Sequence, residues 1–442
     1  MASDLVKEVI EDIRSPLYKN AIFLILHTLM VAGAGFLFWL IVTRLSGDLE
    51  AVGQALLLVG VVTLTATVAQ LGFGIGLIRF LPGSQGEKRG RMVNSALTVS
   101  VAVAFLLAVL LLLTFDLWFT FDLWFPPGAD VVSLAALVPI FLLLAVFSVT
   151  VPIVDNTFVA GRKASYVVAR SSLFQAVRLV APLLLIGLLG VLGVLASLMV
   201  AHLLALAVAF LFLLPRLYPG FRLMPLVDRD LLGEMFHFSI GNHIAEIFHV
   251  LPYPVILLIV TSFTGSVEAA AFFGIPWLIA SLLFAVPLMA SVSLYAEGSH
   301  FTDRLRRDLR RTLRFVLPLL VVGIAFIWFF GAWLLSLFAE TFPPEGVQLL
   351  QVLAISAIFV AVNGLFVAVA RVMKWVRAII ALWAFVATGT IVLSYVLLPF
   401  YDLVGVGYAW LIANGIAALA VMAAYILRRG SIRALLTAAP GE

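Results

Sequence analysis

The sequence predicts an all-α integral membrane protein of twelve transmembrane helices, arranged as two six-helix lobes, and three observations lead there. Of the 442 residues, 64% are hydrophobic and 11% charged, and the mean hydropathy is +1.19. A soluble surface needs far more charge than this. Twelve apolar runs reach the roughly 20 residues that one crossing requires. They lie near 20–43, 51–78, 94–114, 131–154, 166–189, 192–214, 236–261, 269–294, 315–338, 346–370, 378–398 and 404–427. The basic residues then sort to one side. With the N-terminus inside, 26 of the 27 Lys and Arg fall on the inner side, leaving only Arg44 outside. Inner loops carry such an excess, and the outer loops hold Asp48, Glu50, Asp116, Asp122, Asp130, Glu340, Glu345 and Asp402 instead. Both termini are therefore expected in the cytoplasm.

The chain in order gives an interfacial N-terminal helix at 1–19, an N-lobe at 20–214 and an inter-lobe linker at 215–235. A C-lobe at 236–427 and a short tail at 428–442 follow. In the first segment Leu5, Val6, Val9, Ile10 and Ile13 share one helical face among charges, the pattern of a helix lying at the membrane surface. The outer loop repeats Phe115-Asp-Leu-Trp-Phe119 as Phe121-Asp-Leu-Trp-Phe125, an aromatic belt. Gly72-Phe-Gly74-Ile-Gly76 lies inside an apolar run with no strand around it, so close helix packing or bending is expected there and not nucleotide binding. Cysteine is absent, which excludes disulfides and thiolate metal sites.

Two matches suggest an internal repeat. Asn20 and His27 in the first run correspond to Asn242 and His249 in the seventh, at an offset of 222 residues. Val154-Asp-Asn-Thr-Phe-Val-Ala160 corresponds to Val362-Asn-Gly-Leu-Phe-Val-Ala368, at an offset of 208. With six runs per half, both halves enter from the same side. A pseudo-two-fold along the membrane normal relates such parallel repeats in transporters.

The residues at the helix ends resemble a known family. Leu17-Tyr-Lys-Asn20 enters the first run, and Leu71-Gly-Phe-Gly-Ile-Gly-Leu-Ile-Arg-Phe-Leu-Pro82 closes the second. Phe238-Ser-Ile-Gly-Asn242 enters the seventh and Tyr295-Ala-Glu297 closes the eighth. In these patterns the chain resembles the polysaccharide and O-antigen flippases of the multidrug/oligosaccharidyl-lipid/polysaccharide exporter superfamily. The resemblance implies two bundles in a V around a central cavity. It also implies alternating access and a substrate made of an oligosaccharide on a polyprenyl phosphate or diphosphate.

That task asks for cations to meet phosphate, polar or aromatic groups to meet sugar, and a titratable group for coupling. Glu246 lies about ten residues into the seventh run, roughly 15 Å deep at 1.5 Å per residue. It is the candidate for ion coupling, with H+ or Na+ as the ion. His243 and His249, three residues to either side, are expected on adjoining parts of its face. A structural polar network between helices is the alternative for this cluster. His27 is a cavity candidate through the repeat, or a packing histidine. Asn20 and Asn242 read either as cavity residues or as helix caps. Arg79 is a phosphate ligand by the resemblance, or an inner-side anchor. Arg178, twelve residues into the fifth run, either reaches the cavity or lies on a helix that protrudes into the cytosol. Asp155-Asn156 are expected to brace a lobe through Arg162 or Arg170.

The segment Asp303–Arg314 sets Leu305, Leu309 and Leu313 on one face among six arginines. It reads as a helix lying on anionic lipid, with Arg304, Arg307 and Arg311 at an inner gate as the sharper reading. The expected partners are a lipid-linked oligosaccharide, anionic lipids and a polysaccharide polymerase or glycosyltransferase complex. A monomer is expected, with no nucleic acid, no metal and no organic cofactor. A cation-coupled multidrug exporter of the same superfamily is the second reading. A membrane glycosyltransferase or polymerase is the third; it calls for a sizeable acidic outer loop, and the loop near 115–130 is short and aromatic.

Overall fold

A computed structural model describes residues 16–114, 131–300, 305–340 and 342–427, without the side chains of 16–26, 29, 131–135, 296–300, 306 and 427. Every regular element among the described residues is a helix, with no strand among them. Ten stretches are long and apolar enough to cross a membrane. The last, Val376–Ile426, holds two crossings joined at Asp402, whose φ of 46° breaks the helix. With the first helix, Pro16–Ser46, the crossings number twelve. The aromatic loop 115–125, the surface helix at 1–15 and Arg304 fall outside the described residues.

Packing divides the chain into two compact units, Met1–Ser46 with Val61–His243, and Gly47–Gly60 with Ile244–Glu442. These bounds differ from lobes drawn at 20–214 and 236–427. The early part of the second span packs in the second unit, where a Cβ on Gly53 would strike the Val267 carbonyl. The linker belongs to the first unit, because its residues 222–228 lie extended along the helix Glu87–Leu113. Asn94 Nδ2 donates to the Arg222 carbonyl at 2.9 Å, and Ser95 and Thr98 hydroxyls accept from Asp228 and Leu226 N–H. Arg91 pairs with Asp228 at 2.6 Å. Asp228 in turn accepts the Leu231 N–H at 3.3 Å and so caps the helix Arg229–Val250.

The second span is not one rod. Its helix Leu49–Ala69 stops, Leu71 and Gly72 take φ of 52° and 75°, and a short helix Phe73–Phe80 follows. The glycines explain both the break and what surrounds it. Gly72 adopts a left-handed conformation that costs a side-chain-bearing residue about 1–2 kcal/mol. A Cβ on Gly74 would meet the Asn156 amide, and one on Gly76 would lie 2.8 Å from Met235 Cβ. The Phe73, Leu77 and Leu81 side chains pack with Ile153, Phe158, Met92 and Met235 in the core of the first unit. Hydrogen bonds answer the carbonyls loosened by the break, as a low-dielectric interior requires. The Ser100 hydroxyl reaches the Gln70 carbonyl at 3.3 Å, and His243 Nε2 reaches the Val68 carbonyl at 3.2 Å.

In the second unit the long helix Leu305–Ser336 absorbs the basic segment. Leu305 is 1% exposed and packs with Leu294, Leu365 and Ala368, with Leu309 and Leu313 alongside. The leucine face expected to lie on lipid is thus covered by the protein's own helices. Arg307 and Arg311 stand on the exposed side.

Candidate functional site

The first unit carries a polar cluster between helices that are otherwise apolar. Asp155, near the end of the helix Val131–Ala160, takes a two-pronged contact from Arg170 on the helix Ala164–Leu189, with Nε at 2.7 Å and Nη2 at 2.8 Å. Arg170 is 4% and Asp155 16% exposed. Of the two arginines that the sequence offered for this brace, the structure selects Arg170. His27, half-buried on the first helix, lies within electrostatic reach of both.

Two turns beyond Arg170 comes Arg178, roughly 21 Å along its helix at 1.5 Å per residue. Its guanidinium carbon sits 5.0 Å from the Phe38 ring centre and 5.5 Å from that of Phe174. Phe174 in turn meets the His202 ring edge-on at 4.4 Å. Contacts of this kind contribute up to about 2 kcal/mol when desolvated. They offset part of the roughly 2.5–3.5 kcal/mol that inserting an arginine at membrane depth costs. They supply no acceptor, however, and Arg178 Nε is buried without one. One turn earlier the buried Gln175 Oε1 has no donor. Gln175, Phe38 and Phe174 had no signal in the sequence beyond apolar or isolated polar identity.

The second unit presents Glu246 and His249. Their side chains are 47% and 41% exposed, with the carboxylate 3.8 Å from His249 Nδ1. The His249 ring lies 4.3 Å from Trp383. His243 does not share this face. It is 3% exposed and turned to the Val68 carbonyl of the first unit's broken helix. Since a carbonyl only accepts, Nε2 carries the proton there. The sequence placed the three together by their spacing of three, but at 3.6 residues per turn His243 and His249 stand about 120° apart around the helix. The helix itself begins at Arg229, earlier than the expected 236. For the same reason Asn242 is no cap: it stands half-buried in mid-helix. Asn20 likewise falls inside Pro16–Ser46, and its side chain is outside the described set. Arg79 is exposed in the last turn of Phe73–Phe80.

A second polar contact in this unit went unread. Asn363 Nδ2 donates to Asn414 Oδ1 at 3.1 Å, both residues being fully buried, and Asn414 Nδ2 donates to the Trp410 carbonyl. Trp410 packs edge-on against Trp277 at 4.8 Å, beside Phe284. No cluster of three His, Cys, Asp or Glu suited to a metal ion occurs among the described residues.

This architecture is that of the MATE transporters of the MOP superfamily. Over 93% of this chain and 96% of the other, it superposes on an inward-facing multidrug resistance MATE family transporter, with a TM-score of 0.72 at 14% identity. An outward-facing structure of such a transporter gives 0.67 at 15% identity, covering 97% and 98%. A MOP superfamily transporter from Pyrococcus furiosus, for which reverse polarity of the binding pocket suggests a different function, gives 0.66 at 15% identity, covering 95% and 98%. No curated protein sequence matches the chain. The family model described as polysaccharide biosynthesis protein matches residues 17–296, well over half the sequence. The chain belongs to that family.

Proposed function

We propose that this protein is a flippase that moves a polyprenyl-(di)phosphate-linked oligosaccharide or polysaccharide precursor across the cytoplasmic membrane for cell-surface glycan synthesis. The observation that carries the reading is membership of the polysaccharide biosynthesis family on an exporter fold. Moving a glycan through about 30 Å of hydrocarbon requires polar groups at membrane depth. Arg178 and Gln175 in the first unit, and Glu246 and His249 in the second, are such groups. In this reading Glu246 exchanges H+ or Na+ as its exposure changes, with His249 modulating its charge. His27 and Arg79 assist the headgroup. The excess of basic residues on one side sets both termini in the cytoplasm, and Arg307 and Arg311 face anionic lipid.

The test is complementation of a flippase-deficient strain, following lipid-linked glycan on each leaflet for wild type, Glu246→Ala and Arg79→Ala. Glycan export by the wild type, reduced at least tenfold by Glu246→Ala, is expected. Drug efflux that responds in place of glycan export would select the multidrug exporter of the same fold. Because the chain has no cysteine, single cysteines at Glu246, His249 and His27 can also be tested for labelling by aqueous thiol reagents.

A further inference from the structure

The linker run 222–228 uses only one of its two backbone edges. Its even-numbered residues turn to the helix Glu87–Leu113. Asn94 donates to the Arg222 carbonyl and accepts from the Met224 N–H, and the Thr98 and Ser95 hydroxyls accept from the Leu226 and Asp228 N–H. In an extended chain the backbone groups of the residues between point the opposite way. Among the described residues nothing accepts from the Leu223 and Val227 N–H, and nothing donates to the Leu223, Pro225 and Val227 carbonyls. These groups form one half of a strand ladder, repeating every about 6.6 Å at roughly 3.3 Å per residue. The clasp on the inner edge holds that half-ladder in shape, and Pro225 biases Met224 toward the extended conformation.

The side chains narrow down what fits. Leu223, Met224 and Val227 are 56%, 50% and 56% exposed. Arg222 and Arg229, one at each end, are exposed and form no ion pair among the described residues, whereas Asp228 is already matched by Arg91. Lipid would cover the apolar side chains but strand the open N–H and C=O groups, which hydrocarbon cannot satisfy. Two copies of this chain, paired antiparallel about Pro225, would set proline against proline with no donor at the centre. A strand from another polypeptide answers both the backbone and the side chains. We infer that residues 222–228 are a docking edge for an extended segment of a partner protein. That segment adds as a second strand, packs apolar side chains on Leu223 and Val227, and brings a carboxylate to Arg222 and to Arg229. The inference concerns a partner and not the cargo, so it holds whichever molecule is carried.

The test titrates full-length protein in nanodiscs, by fluorescence anisotropy, with a short labelled peptide of alternating valine and threonine that has a glutamate at each end. The peptide is expected to bind. Its counterpart N-methylated along one edge is not, and one ended by lysines should bind more weakly, the difference shrinking as salt is raised. Val227→Pro removes one outward donor and leaves the contacts of Asn94, Thr98 and Ser95 in place; it should weaken the peptide about tenfold. Leu223→Ser with Val227→Ser keeps the backbone groups and should weaken it several-fold. Should Val227→Pro not fold, this double variant and the methylated peptide decide. Val227→Cys carrying an environment-sensitive dye separates water from lipid. Iodide should quench the dye, less so once the peptide is bound, and brominated lipid should not. Quenching by brominated lipid assigns the edge to the membrane and overturns the inference. Equal binding of the methylated peptide, or unchanged affinity in the folded variants, also overturns it. Dimers that form without peptide and are lost in Val227→Pro give the edge to a second copy and overturn the partner as well.

Discussion

His243 Nε2 and the Val68 carbonyl, 3.2 Å apart, join the helix Arg229–Val250 to the end of the broken helix Leu49–Ala69. The carbonyl's other partner is the Leu71 N–H at 3.4 Å, so the imidazole is the shorter contact. A residue that looked like part of a binding surface thus closes a gap in the backbone of another helix.

His243→Leu should therefore loosen the break, at a cost of about 1–3 kcal/mol for a buried acceptor left short of a partner. Hydrogen exchange over residues 68–73 should accelerate, and unchanged exchange there would show that the ring holds nothing. Gly72→Ala attacks the same place from the backbone side, with its φ of 75° and a Cβ 2.9 Å from that of Ser239. It should lower the melting temperature in detergent more than Gly265→Ala does. Gly265 is also left-handed, with a φ of 65°, but a Cβ there meets open space.

The Asp155–Arg170 pair predicts an asymmetry between single and double substitution. Arg170→Met alone leaves a buried carboxylate and should cost about 3–5 kcal/mol. Asp155→Leu combined with Arg170→Met removes both charges and should recover much of that. Thermal unfolding in detergent reads it. Equal losses in the single and the double variant would mean that the pair's value lies in shape and not in charge.

Asn363 and Asn414 predict a coupled pair in the second unit. Each change to Leu should destabilise by about 1–3 kcal/mol through the amide left behind. The double variant should cost clearly less than the sum, as contacting residues do. Strict additivity would deny the 3.1 Å contact its energetic weight.

The basic segment can be divided by face. Leu305→Ala should cost about 2–5 kcal/mol as a core truncation, because Leu305 is 1% exposed. Arg307→Gln with Arg311→Gln should leave stability within about 0.5 kcal/mol. The same pair should reduce preference for anionic over neutral vesicles by about 1 kcal/mol per charge. A large stability loss in the arginine variants would place those side chains in structural contacts.

The sequence disclosed what depends on bulk chemistry and hid what depends on direction. Twelve crossings follow from run length, and the glycine series announced its tight packing against Asn156 and Met235. The salt bridge at Asp155 could be expected because a membrane-buried carboxylate needs a cation nearby. Which way a side chain faces was harder to read, since lipid and protein interior are equally apolar and periodicity does not separate them. Leu305 therefore read as lipid-facing when it is core, and Leu309 when it packs half-buried against that core. His243 read as a neighbour of Glu246 because a spacing of three suggests one face, although each such step drifts about 60° around the helix and leaves His243 on the packed side. Phe38 and Phe174 are two of 35 phenylalanines, and only their position against Arg178 sets them apart.

The extended run 222–228, clasped by Asn94, Ser95 and Thr98, has a practical consequence for dissecting the molecule. A polypeptide divided after Gly220 would leave that run on the second fragment, while its receptor remains on the first. The free end would carry a built-in recognition peptide, and co-expressed halves should find each other through it. Division after Asp228 would strand the peptide on its own receptor and leave the second half to dock through the helix that carries Leu232, Met235 and His243.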